Sequence, residues 1–131
     1  MYRYLDHTAD LRAELTAPDF AALLGEAVAL VRDILVGSSP VEARAERSFE
    51  LAGGDEAERL FRCVRELVYL ADSEGFLPAE LRVEQGGVVV AGERFDPTRH
   101  RVERQVKAVT RHGLVCARAG DGWRAELVFD L

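Results

Sequence analysis

The chain has 131 residues, 48% of them hydrophobic, and carries 17 Lys and Arg against 23 Asp and Glu for a formal net charge of −6. That length suits one domain over residues 1–131, whose core needs neither disulfides nor a structural metal. No apolar run approaches the ~20 residues of a membrane helix, the opening Met1-Tyr2-Arg3-Tyr4 lacks the layout of a secretory signal, and the acidic balance argues against strong direct nucleic-acid binding, so the expectation is a cytoplasmic protein with no membrane contact.

Leu11, Ala13 and Leu15 alternate with Arg12 and Glu14, the period of a half-buried strand. Thr16-Ala17-Pro18-Asp19 then offers a capping hydroxyl, an early proline and an early acid. Phe20, Leu23, Leu24, Ala27, Val31, Ile34 and Leu35 follow at helical spacing until Gly37-Ser38-Ser39-Pro40 stops the helix. Residues 41–52 alternate loosely and predict a strand, which Gly53-Gly54 breaks. Asp55 stands three residues before Glu58, as in a cap, and Leu60, Phe61, Val64, Leu67, Val68 and Ala71 mark the apolar face of a second helix ending near Gly75.

From Leu77 onward the pattern changes to five strands: 79–85, a Gly86-Gly87 hairpin turn, 88–95, a loop through Asp96-Pro97, then 102–110, 113–119 and 123–130. The fold class this implies is α+β, with two amphipathic helices packed on a mainly antiparallel β-sheet. Cys63 in the second helix and Cys116 in a strand sit among apolar residues, as small buried hydrophobes do.

Three features could carry chemistry. Asp6-His7-Thr8-Ala9-Asp10 gathers two carboxylates and an imidazole, a set that can hold a cation but that serves more often as turn and cap chemistry. Trp123, Ala125, Leu127 and Phe129 form one face of the last strand, which puts Arg124, Glu126, Val128 and Asp130 on the other. Asp130 and the carboxylate of Leu131 then offer oxygen ligands side by side, and Asp10 joins them if the first strand pairs near the last. Such an all-oxygen set suits Ca²⁺ or Mg²⁺ and disfavours zinc; the alternative is a frayed terminus with solvated charges.

The third feature is Lys107, within Val106-Lys107-Ala108-Val109-Thr110, the one lysine in a chain whose other basic residues are all arginine. A site wanting a compact point charge would explain that exception, and so would an edge-strand lysine that discourages unwanted pairing. His112 follows the same strand as a candidate site neighbour, His100 is read as a loop residue, and the three histidines show no metal-ligand spacing. No nucleophile elbow or phosphate loop is present, so the reading is not an enzyme.

Along nearly its whole length the chain resembles the archease family. The resemblance rests on Tyr4-Leu5-Asp6-His7-Thr8-Ala9-Asp10, on Gly92-Glu93-Arg94-Phe95-Asp96 before His100, on Val106-Lys107-Ala108-Val109-Thr110 before His112, and on a Trp followed by a last strand ending Phe129-Asp130-Leu131. It implies a non-catalytic activator of the RtcB-type tRNA-splicing RNA ligase, which promotes guanylylation of that ligase and its multiple turnover in tRNA splicing and RNA repair. The family's metal positions map onto Asp10, Asp130 and Leu131, for a divalent cation that is Ca²⁺ first, with Mg²⁺ or Mn²⁺ as alternatives. Its important lysine maps onto Lys107, Asp6 matches a further acid, and His7 and His112 belong to the same ligase-activation set. Arg111 stands where many relatives carry an aromatic, and Phe-Asp-Leu replaces a more usual ending, Asp-Ile. The rival expectations are a chaperone-like or RNA-binding helper and, behind these, a metal-dependent phosphoester hydrolase built on Asp6, His7, Asp10 and Asp130.

Overall fold

The computed structural model describes residues 1–5 and 10–131. In chain order these form β1 (Tyr2–Leu5), β2 (Leu11–Ala17), α1 (Phe20–Val36), β3 (Ala45–Glu50), α2 (Glu56–Glu74), β4 (Phe76–Glu84), β5 (Gly87–Arg94), β6 (Ala108–Ala119) and β7 (Gly122–Asp130). The strands make two antiparallel sheets, one ordered β1-β2-β7-β6 and the other β3-β5-β4. Both helices touch both sheets, so that a single core joins Ala13 and Leu15 of β2, Leu23, Leu30 and Ile34 of α1, Leu60, Val64 and Leu67 of α2, Phe76 of β4 and Leu127 and Phe129 of β7. The class is α+β, and among the described residues no helix is long and apolar enough to cross a membrane.

Each helix begins where a side-chain oxygen replaces a missing backbone partner. The cap of α1 is the Asp19 carboxylate, which accepts from the Ala22 N–H at 2.7 Å, and not the Thr16 hydroxyl expected from the sequence. Asp55 caps α2 as predicted, accepting from the Glu58 N–H at 2.9 Å. Gly37 and Gly75 close the two helices, and Gly75 does so in the left-handed region that relieves the last carbonyls.

Five stretches differ from the sequence reading. Residues 2–5 form an edge strand that pattern alone did not reveal. The strand expected over 41–52 shortens to Ala45–Glu50, and β4 begins at Phe76, directly after α2. At the β4–β5 turn only Gly86 has positive φ; Gly87 opens β5, and a Cβ there would clash with the Phe49 carbonyl oxygen. Most consequential, the strands expected at 102–110 and 113–119 are one strand, β6, which starts only at Ala108.

The reason lies in hydrogen-bond partners. Ala108 pairs with Asp130, where β7 ends, so β7 offers residues 101–106 no ladder. They run instead as an irregular strap across the end of α1, with the Arg101 N–H donating to Ser39 Oγ at 3.0 Å and the Glu103 N–H to the Leu35 carbonyl at 2.8 Å. Residues 111–114, expected to separate two strands, form a wide bulge: from Thr110 to Val115 is five steps on β6, against two on β7 from Val128 to Glu126. Gly113, at φ 80°, supplies the left-handed residue that lets the strand resume.

Candidate functional site

The face of the β1-β2-β7-β6 sheet turned away from the helices is built on charge. Pairing puts Glu14 of β2 directly opposite Glu126 of β7, two like charges that would repel if left alone. Three arginines resolve this. Arg124 reaches Glu14 at 2.7 Å and Glu126 at 3.0 Å, Arg3 donates to Glu14 at 2.8 Å, and Arg12 donates to Glu126. Both carboxylates are buried beneath these guanidinium groups. The hydrogen bond from Arg3, with that from Arg124, holds Glu14 below the usual carboxylate range. Burial pushes Glu126 upward, but the bonds from Arg12 and Arg124 outweigh it and leave its pKa lowered as well. Sequence reading placed Glu126 on this face but gave no sign of its pairing with Glu14.

At one end of the same face the two extremes of the chain meet. The register pairs Leu11 with Phe129, so the next residue outward is Asp10 on one strand and Asp130 on the other, with Leu131 beyond. On the other side of β7 the Lys107 N–H donates to the Asp130 carbonyl at 2.8 Å. The condition set by the sequence, that the first long strand pair with the last, is therefore met, and Asp10, Asp130, Leu131 and the backbone of Lys107 share one edge of the sheet. Asp130 and Asp10 are half-buried, and Leu131 and Lys107 are exposed.

Two expectations about this region need correction. Lys107 precedes β6 instead of lying within a strand, and among the described residues its ammonium pairs with no carboxylate. His112 lies on the bulge, exposed, with its N–H donating to Thr110 Oγ1 at 3.1 Å. Beside it Arg111 makes a two-pronged ion pair with Glu58 and lies over the Phe61 ring at 4.1 Å from its centroid. A flat cation on a ring face thus occupies the position expected to cost the chain an aromatic contact. Asp6 and His7 lie outside the described residues.

The remaining motif, Gly92 to His100, is a structural knot. Glu93 is buried and accepts from the Glu42 N–H at 2.6 Å and from Arg99. Burial raises its pKa, and the Glu42 N–H and Arg99 more than offset this, so the carboxylate stays ionised. His100, expected as an ordinary loop residue, has a fully buried side chain: Nδ1 accepts from the Asp96 N–H at 2.9 Å, and Nε2 lies 3.3 Å from Glu93. An acceptor Nδ1 leaves the ring proton on Nε2, which is buried and makes no hydrogen bond among the described residues.

Among the described residues, no group of three or more His, Cys, Asp and Glu side chains is arranged to hold a metal. Asp10 and Asp130 bring two side-chain carboxylates to this edge. These are hard oxygen donors with no sulfur or nitrogen among them, which is the chemistry of a Ca²⁺ or Mg²⁺ set and not of zinc.

Residues 2–131 match the model of the Archease protein family (MTH1598/TM1083). A protein archease of Methanopyrus kandleri is 34% identical over 97% of this chain and 96% of its own length, and one of Pyrococcus furiosus is 32% identical over 99% and 98%. Among solved structures, protein 1598 of Methanobacterium thermoautotrophicum superposes with a TM-score of 0.81 at 25% identity, covering 99% of this chain and 98% of that one. The crystal structure of "an archease, possible chaperone" from Thermotoga maritima shares the fold, with a TM-score of 0.70 at 23% identity over 100% and 98% of the two chains. With its strand order, its two helices and its match over residues 2–131, the chain belongs to the archease family.

Proposed function

We propose that this archease is a non-catalytic activator of an RtcB-type RNA ligase, and that it promotes guanylylation and repeated turnover of that ligase in tRNA splicing and RNA repair. Asp10, Asp130 and Leu131 hold a divalent cation, Ca²⁺ in preference to Mg²⁺ or Mn²⁺. The observation that carries the reading is the β2–β7 register, which brings Asp10 and Asp130 to the same end of the same face, beside Lys107. Bound there, the cation supplies a fixed positive charge for a phosphate or carboxylate of the partner.

The protein's own part is presentation. Phe129 anchors β7 in the core, so Asp130 has little freedom to wander, and Lys107 is tied to it through the backbone. Asp6, His7 and His112 complete the ligase-facing set. A surface with net charge −6 also gains from electrostatic steering toward a basic RNA-handling enzyme, an effect that weakens with salt.

The test is guanylylation of a cognate ligase with this protein at substoichiometric amounts. Asp10→Ala, Asp130→Ala and Lys107→Ala should each abolish activation while circular dichroism stays unchanged. Full activation by all three variants would remove the mechanism. The T. maritima protein's description as a possible chaperone supplies the second reading. Suppression of aggregation of unrelated clients, without any effect on the ligase, would favour it. Phosphoester turnover by the purified protein alone, lost on chelation, would restore the hydrolase.

A further inference from the structure

Behind the strap of residues 101–107 lies a groove of about 450 Å³. Its floor is apolar, formed by Leu35 of α1, Val68 and Ala71 of α2, and Leu77 of β4. Phe95 and Val102 stand at its mouth with 36% and 55% of their surfaces exposed, which is unusual for large apolar side chains flanking a cavity.

The rim is charged unevenly. Arg104 and Lys107 line it on the strap side and Asp72 on the α2 side. Among the described residues, Arg101, Arg104 and Lys107 of the strap make no ion pair, nor do Arg32, Arg65, Arg94 and Arg118, which are scattered over other elements, while ten arginines are paired with carboxylates. Among the described residues Arg104 faces the Tyr4 ring, at 6.0 Å from its centroid. With three cations against the single acid Glu103, the strap carries a net positive charge on a chain with an overall acid excess, which marks a surface that can receive negative charge from outside.

From these features we infer that the groove and strap receive a segment of a partner protein in which a bulky apolar side chain is flanked by carboxylates. The apolar anchor would enter between Phe95 and Val102, and the flanking acids would meet Arg104 and Lys107. A nucleic-acid backbone is the poorer match, because phosphates would leave the apolar floor uncovered and would meet the carboxylate of Asp72 at its edge. The inference rests on the activator reading above and deepens it, since Lys107 belongs both to this rim and to the edge that carries Asp130. It assigns Lys107 a place in partner docking, gives the motif residue Phe95 a contact role, and adds Arg104, Val102 and Ala71, which no family motif singles out.

The experiment measures the affinity of the intact protein for a purified RtcB-type ligase by titration, alongside guanylylation. Ala71→Trp fills the floor, and Val102→Glu puts a like charge for the expected acids at an already exposed position, so it remains informative should Ala71→Trp fail to fold. Each should weaken ligase binding by about tenfold or more, the range for a central anchor, while activation returns at high protein concentration. Ligase binding by both folded variants as tight as that of the unmodified protein would overturn the docking assignment and leave the activator reading intact. Failure of the unmodified protein to bind the ligase would overturn both. A labelled poly-uridine RNA that binds the unmodified protein, is lost with Arg104→Ala and is kept by folded Ala71→Trp would give the strap to nucleic acid and overturn the peptide assignment.

Discussion

Adding one methyl group at Gly92 should cost this protein more than any other glycine-to-alanine substitution in its second sheet. Gly92 sits on β5 between Ala45 of β3 and Pro78 of β4, at the point where the β4 register shifts. A Cβ built there would lie 1.9 Å from the Leu77 carbonyl oxygen, 3.0 Å from its carbon and 3.2 Å from Phe76 Cζ. The first two are backbone atoms, so no rotamer change relieves the clash. Ordinary contact requires the strands to part by more than an ångström, which strains the β4–β5 ladder and the 2.9 Å bond from the Arg44 N–H to the Gly92 carbonyl. Overpacking of this kind costs about 1–3 kcal/mol, and with immovable neighbours we expect about 3 kcal/mol. For a chain of this size that lowers Tm by roughly 10 °C. The assay is urea unfolding followed by circular dichroism, with Gly25→Ala as the control. Gly25 lies within α1 with nothing inside 4 Å of its Cβ position, so the same methyl there should stabilise by about 0.5–1 kcal/mol. If Gly92→Ala unfolds within about 0.5 kcal/mol of the unmodified protein, the close-approach argument is wrong.

Two further outcomes follow from the buried ionisable groups. Glu14, Glu93 and Glu126 all have folded-state pKa values below their ordinary range. Their contribution is therefore complete at neutral pH and is lost as the pH falls from the unfolded glutamate value, about 4.3, through the lower folded values. Unfolding free energy measured against pH should drop on that acid limb, and Glu126→Gln should make the limb shallower; an unchanged slope would count against the charged ladder. Burial pushes the Cys63 thiol up to about 12 and the Cys116 thiol up to about 11. In the native protein Cys63 should be inert to a disulfide reagent and Cys116 slow, both reacting promptly in urea; rapid reaction of Cys63 under native conditions would contradict the packing described here.

What the residues disclosed unaided depended on period and length. Each helix shows several turns of one apolar face, and β7 alternates over its full span, so these elements and their faces could be read directly. Tyr2–Leu5 is too short to display a period, and its strand exists only because β2 is there to pair with it. The alternation of Val102, Arg104 and Val106 is genuine, yet it produces a strap, because a strand needs a neighbour and β7 ends at Asp130. The same limit governs the site. The register that joins Asp10 to Asp130, and the pairing of Glu14 with Glu126, are relations between distant segments that periodicity does not encode. The Gly92 to His100 motif could be recognised as a pattern, but only the fold shows that its glycine admits a neighbouring carbonyl and that its glutamate and histidine lock a loop in place.

The position of Asp130 follows from the core more than from its own chemistry. Ala125, Leu127 and Phe129 are all fully buried, and a one-residue slip of β7 would send all three to the charged face and bring Arg124, Glu126 and Val128 into the core. The ladder of Arg3, Glu14, Arg124, Glu126 and Arg12 penalises the same slip from the other side, since every bond in it requires the present register. Two independent sets of interactions therefore fix where the last strand stops. Because β7 lies between β2 and β6, that stopping point is shared with both neighbours: Asp10 on one side and Lys107 on the other are brought to Asp130 by pairings made well inside the sheet. A substitution that loosens β7, such as Phe129→Ala, should thus disperse the edge set without touching any member of it, at a cost of about 3–5 kcal/mol for the emptied core site.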